Sequence, residues 1–105
     1  MAADVFAALA DPTRRRVVSE LASRQSVTAT ELARVLRITR QAVAKHLSAL
    51  ADAGLAAPTR QGRETRYELT PAPLEEAVEW ISSVGGQWDD RLARLERHVG
   101  RRASR

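Results

Sequence analysis

The hydrophobic positions of this chain change their period along its length. Val5, Phe6 and Leu9 suggest a short first helix. Asp11-Pro12 then restarts the chain, with Asp11 as N-cap and Pro12 at the first helical position. Val17, Val18, Leu21 and Ala22 form the inward stripe of the helix that follows. Residues 27 to 55 hold two more short helices. Thr28 and Glu31 have the spacing of a capping box, and Val27 and Leu32 are placed to staple across it. Leu32, Val35 and Leu36 continue that stripe. Only Arg37 and Ile38 separate it from the next start, too few for anything but a tight turn. Thr39 is the next N-cap, with Ile38 and Val43 as its staple. This helix is expected from about Arg40 to Ala53, with Val43, Leu47 and Leu50 facing the core and Gly54 as the left-handed residue that ends it.

After Gly54 the period falls to two. Thr65, Tyr67 and Leu69 lie on one face, and Glu64, Arg66 and Glu68 on the other. With Pro58 and Gly62 nearby, residues 55 to 70 read as a β-hairpin whose turn lies near Gln61-Gly62. Beyond Pro71 and Pro73 the steps alternate between four and three: Leu74, Val78, Ile81, Gly85, Trp88, Leu92, Leu95 and Val99. That heptad seam predicts a helix over about 73–99, roughly 38 Å long at about 1.5 Å per residue. A domain this small cannot cover such a helix, so its expected partner is the same helix of a second copy. Leu74, Val78, Ile81, Trp88, Leu92 and Leu95 are the dimerisation residues on this reading. The alternative is that the seam packs wholly on its own domain. Gly85-Gly86 costs about 1–2 kcal/mol of helix propensity and marks either a kink or a close backbone approach. Trp80 and Trp88 flank it as large anchors. The last five residues, 101 to 105, are expected to fray.

Two short helices around a tight turn, followed by a hairpin, make a winged helix-turn-helix. The predicted class is mainly α, with a two-stranded β-hairpin wing and a long C-terminal dimerisation helix. The outer face of the second motif helix carries Gln41, Lys45, Ser48 and Asp52 with Ala44 beside them, and no large apolar residue. Arg40 suits a guanine edge and Gln41 an adenine edge, while Ala44 and Ser48 are small enough for close approach to a groove floor. Thr39, Arg40, Gln41, Ala44, Lys45 and Ser48 are therefore the candidate contacts to double-stranded DNA from this helix. Taken alone, the same face reads more readily as solvated surface; its neighbours reverse the balance. Arg60, Arg63 and Arg66 cluster at or near the hairpin tip and are the candidate wing contacts to the DNA backbone. Arg14, Arg15 and Arg16 crowd the first turn of their helix, the wrong end of the macrodipole for cations. Either a nearby acid such as Asp11 or a DNA phosphate would relieve them. His46 lies beside the core face of the reading helix, where packing and phosphate contact are both open to it.

The chain has 105 residues, which suits a single domain over 1–105: motif about 28–54, wing about 55–70, long helix about 73–99. Hydrophobic residues make up 44% but aromatics only 4%, so the core must be built of Leu, Val and Ala. The net charge of +4 favours an anionic partner. Lys45 is the only lysine; a GC-rich genome explains that bias, and arginine also suits bidentate phosphate and guanine contacts. No cysteine is present, which excludes disulfides and thiolate metal sites. No nucleophile–base pair, phosphate loop or ligand cluster stands out, so no catalytic residue, metal or cofactor is expected. Without a membrane-length apolar run or a signal-like start, a cytoplasmic protein is expected.

The strings ALADPTRRRVVSELA, TATELARVL, TRQAVAKHLSALADAGL and GRETRYELT together resemble the ArsR family of winged helix-turn-helix repressors, over about residues 5 to 99. The resemblance implies a homodimer joined through the first and last helices. It also implies a palindromic operator, often in the protein's own promoter, and release of DNA by an effector, which is not identifiable here. Many members sense metals. One type carries Cys-x-Cys after Glu-Leu, where this chain has Ala33 and Val35 after Glu31-Leu32. Another carries Asp-x-His and His-x-x-His or His-x-x-Glu on the last helix, where this chain has Asp89 then Arg91, and His98 then Arg101. A homodimeric, metal-independent autorepressor is the expectation. A winged-helix module for protein–protein interaction is the alternative, against which the basic wing argues.

Overall fold

A computed structural model describes residues 2–103. The caps are where the spacing of residue types placed them. Asp11 Oδ1 accepts from the Thr13 and Arg14 N–H groups at 2.7 and 3.1 Å, opening α2 (Pro12–Ser23) after α1 (Ala2–Leu9). Thr28 and Glu31 close a complete capping box on α3 (Ala29–Leu36), at 3.1 and 3.2 Å. Thr39 Oγ1 accepts from the Ala42 N–H at 3.0 Å and opens α4 (Arg40–Asp52). Each such cap stabilises its helix by roughly 1 kcal/mol.

The helix ends differ in chemistry. After α4, Gly54 adopts φ +76°, the Gly54 N–H donates to Ala51 and the Leu55 N–H to Leu50 at 2.8 Å. That is a Schellman closure with the glycine in the left-handed position, as expected. After α3 the same position falls to Arg37, at φ 58° and ψ 41°, the one described non-glycine residue with positive φ. The crowded arginines at the start of α2 are relieved mainly by the helix before it. Arg14 Nη1 donates to the Ala8 carbonyl at 3.3 Å, and Arg15 Nη1 to those of Leu9 and Ala10 at 2.7 and 3.3 Å. Their charges thus sit at the C-terminal end of α1, where unpaired carbonyls favour them.

Leu21, Leu32, Leu47, Leu50 and Leu55, with Val5, Val17, Val27 and Val43, fill the core. Two expected core residues lie outside it. Ala22 is exposed at the end of α2, and Val35 is 43% exposed. On α3 the buried stripe runs through Ala29, Leu32, Ala33 and Leu36, so two alanines turn inward and Val35 falls beyond its edge.

The sheet has three strands where a two-stranded hairpin is predicted. β1 (Val27–Thr28) joins β2 (Ala56–Gln61) and β3 (Glu64–Leu69) in the antiparallel order β1-β3-β2. Val27 pairs with Tyr67 and Thr28 with Arg66. The hairpin pairs Ala56 with Leu69 through to Gln61 with Glu64, which leaves Gly62-Arg63 as the two-residue turn. Gly62 alone takes a positive φ, 62°, as a Gly-X hairpin turn requires. Tyr67 and Leu69 pack on the core, while β2 is exposed beyond Ala56.

The last helix, α5 (Ala72–Ala103), is longer than predicted: 32 residues, about 48 Å. It continues through residues 101–103, where fraying is expected; Ser104 and Arg105 lie outside the described residues. Its first turns pack on the body of the molecule. Ala77 is buried, Leu74 is half-buried against the core, and the Phe6 ring meets Trp80 edge-on at 5.5 Å. Leu74 therefore faces the chain's own core instead of the outward seam. The other seam residues do not pack on their own domain: Val78, Ile81, Trp88, Leu92, Leu95 and Val99 are all exposed. The helix passes unbroken through Gly85 and Gly86, and a Cβ added at either would meet nothing within 4 Å.

Candidate nucleic-acid interface

The reading face of α4 follows from its core face. Val43, Leu47 and Leu50 are fully buried, which turns Arg40, Gln41, Ala44, Lys45 and Ser48 to solvent, with Thr39 at the start. All six are exposed. Because Thr39 Oγ1 is engaged with Ala42, the N–H groups of Arg40 and Gln41 remain at the positive end of the helix, a favourable place for a phosphate.

The wing stands beside this face. An open concavity of ≈ 650 Å³ runs between them, lined by Arg34 and Glu31 of α3, Arg40 and Ala44 of α4, and Arg60, Arg63 and Glu64 of the wing. Thr39, Gln41, Lys45 and Ser48 lie outside it, along the exposed helix. Arg34 is the residue that sequence reasoning missed. Its signal was its place opposite Leu32 and Leu36 on α3, a position that reads as ordinary polar surface until the wing is folded next to it.

The three wing arginines have different surroundings. Arg60 Nε donates to the Gly62 carbonyl at 3.1 Å and so braces the turn. Arg63, in the turn, is exposed and has no hydrogen-bond or ion-pair partner among the described residues. Arg66 is drawn inward, its side chain 24% exposed. Its Nε donates to Ser26 Oγ at 2.8 Å and its Nη2 to the Ser26 carbonyl at 3.3 Å. Glu31 and Glu64 each approach the guanidinium to 3.3 Å. Of the three arginines expected at or near the tip, Arg60 and Arg63 are exposed and Arg66 is engaged within the fold.

Two carboxylates hold their protons less readily than usual. Glu31 is lowered, first by the hydrogen bonds of the capping box with Thr28 and then by the charges of Arg66 and Arg24. Asp11 is lowered, first by the Arg14 N–H and then by the Thr13 N–H and the charges of His46 and Arg14. His46 is half-buried on α4 and close enough to Asp11 for its charge to be felt there.

The donor chemistry does not fit either metal-sensing pattern. Ala33 and Val35 offer no ligand atoms, and Arg91 replaces a histidine on α5. Among the described residues no group of three or more His, Asp or Glu is placed to hold a metal ion. No described helix is long and apolar enough to cross a membrane.

Comparison with known proteins agrees with this architecture. A family described as helix-turn-helix domain matches residues 9–59. An uncharacterised HTH-type transcriptional regulator of Bacillus subtilis, YuzN, is 43% identical over 84 residues, covering 73% of this chain and 91% of that protein. The transcriptional repressor SdpR of the same organism is 28% identical over 89 residues, covering 85% and 98%. Among solved structures, an ArsR-like transcriptional regulator from Rhodococcus sp. RHA1 superposes with a TM-score of 0.78 at 41% identity, covering 91% of this chain and 90% of that one.

Proposed function

The chain belongs to the ArsR family of winged helix-turn-helix transcriptional regulators, DNA-binding repressors and not enzymes, and from that premise we propose that it acts as a homodimer on a palindromic operator upstream of its own gene, without a metal effector. Each protomer places α4 in a major groove. Arg40 and Gln41 read base edges, and Thr39, Lys45 and Ser48 meet phosphates or the groove floor around Ala44. Arg60 and Arg63 grip the adjacent backbone from the wing, and Arg34 faces them across the concavity.

One observation carries the reading. Arg40 and Ala44 of the exposed α4 face open with the outward wing arginines on one concavity, and the rest of that face continues beside it, so a single duplex can meet base-reading and phosphate-binding groups together. The dimer is supported by the apolar residues of α5 from Val78 to Val99, which a monomer leaves in water. Two-fold symmetry then sets the half-sites one helical turn, or a multiple of it, apart.

Footprinting of the DNA upstream of the gene, with and without a metal chelator, tests this. A protected palindrome that is indifferent to the chelator is expected. With ~6–10 phosphates met by the dimer, affinity falls ~10³–10⁵-fold between about 50 and 200 mM salt. No protection at low salt overturns the operator assignment, and loss of protection with chelator overturns metal independence.

A further inference from the structure

Arg66 sits on the central strand of the sheet, paired with Thr28 on one side and Thr59 on the other. Up to Val99, its bonds to Ser26 are the only side-chain hydrogen bonds of the described residues that join positions more than six apart. They span 40 residues. The same guanidinium reaches Glu31, which belongs to the capping box at the start of α3. The far half of the wing has no comparable apolar anchor. β2 is exposed beyond Ala56, and Tyr67 and Leu69, which pack on the core, lie at the near end of β3. Apart from the backbone pairing of β1 with β3 and the Leu55 N–H to Leu50 bond at the wing's near end, nothing else polar ties the wing to the helix-turn-helix among these residues.

Resting on the DNA-binding reading above, we propose that Arg66 is a positioning residue for DNA binding: by latching β3 to Ser26 and Glu31 it holds Arg60 and Arg63 across the groove from Arg34 and Arg40, and it does not itself grip a phosphate. The chemistry demands arginine. A planar fork with several fixed N–H directions serves the Ser26 hydroxyl, the Ser26 carbonyl and two carboxylates at once. Lysine supplies the same charge but one nitrogen, and cannot span those partners. The charge of Arg66 is moreover already faced by Glu31 and Glu64, so little of it is left for DNA.

The distinction is measurable on a short random-sequence duplex at low salt, by fluorescence anisotropy. The proteins compared are the full chain, Arg66→Lys, Arg66→Ala, Arg60→Ala/Arg63→Ala, and the triple variant that adds Arg66→Lys. Thermal melts confirm that each is folded at the assay temperature. A latch predicts that Arg66→Lys weakens binding about as much as Arg66→Ala, roughly tenfold, although it keeps the charge. It further predicts that Arg66→Lys adds no more than about a twofold loss once Arg60 and Arg63 are gone, because the groups it positions are absent. Near-wild-type binding by Arg66→Lys overturns the latch and makes Arg66 a direct phosphate contact. Losses that simply multiply in the triple variant overturn it too, since an independent contact or a general loss of folded protein both multiply. If the unaltered chain binds no duplex, the DNA-binding reading fails and the latch with it; if it binds and either pattern above appears, only the latch fails.

Discussion

Arg37 holds the tight turn of the helix-turn-helix in a conformation that L-residues avoid. Its Cβ meets the following carbonyl in the left-handed region, at about 1–2 kcal/mol, whereas glycine at that site loses only about 0.5–1 kcal/mol more chain entropy on folding. Arg37→Gly therefore stabilises the protein by up to about 1 kcal/mol, raising the midpoint of a thermal melt by several degrees at fixed protein concentration. An unchanged or lower midpoint shows that the Arg37 side chain contributes contacts that outweigh the strain. The residue was illegible in the sequence for a plain reason. A left-handed cap is read from glycine, as at Gly54, and Arg37 carries no such mark. The caps at Asp11, Thr28 and Thr39 were legible because each is a short-range spacing of residue types. The role of Arg66 was not, because Ser26 lies 40 residues away in the chain and only folding brings it near.

At the scale of elements, α4 owes its exposed face to a buried stripe of three residues, and in the proposed complex that face divides into groups that read and groups that hold. Arg40→Ala and Gln41→Ala are each expected to reduce affinity for the cognate operator by ~1–3 kcal/mol while changing affinity for random DNA little, as measured by titration of both duplexes at one salt concentration. Equal losses on both would make these side chains phosphate contacts. The helices and the hairpin were legible because their hydrophobic periods are long enough to count. β1 was not: two residues cannot display a period, and Val27 and Thr28 already served as the staple and cap of α3. The same two residues do both jobs, which is how the wing sheet comes to rest on the start of the helix-turn-helix.

The whole molecule is shaped by its last helix, with principal extents of 74 × 25 × 21 Å. A face bearing Trp88, Leu92 and Leu95 in water is a poor end state for a domain with so small a core. Leu92 touches nothing in the protomer's own core, so Leu92→Glu leaves the protomer fold alone and places like charges together at the proposed two-fold seam. Sedimentation equilibrium is expected to give a dimer for the natural chain and a monomer for the variant, with operator affinity falling accordingly. A dimeric Leu92→Glu would place the interface elsewhere, with α1 the next surface to examine. The seam itself was legible from its heptad spacing. The inward turn of Leu74 was not, because position in a heptad does not say where a helix leaves the body of its own domain.

Leu55 lies between the reading helix and the wing, fully buried, with its N–H held by Leu50 and its carbonyl held by the Thr70 N–H, both at 2.8 Å. A joint pinned at both of its backbone groups and at its side chain has no slack to give. The near end of the wing is consequently fixed to α4, while its far end is tied back by the Arg66 contacts with Ser26 and Glu31. On the proposed dimer, the signal that would detach the protein from DNA is one that tilts or separates whole protomers, since the wing's near end is held to α4 at Leu55.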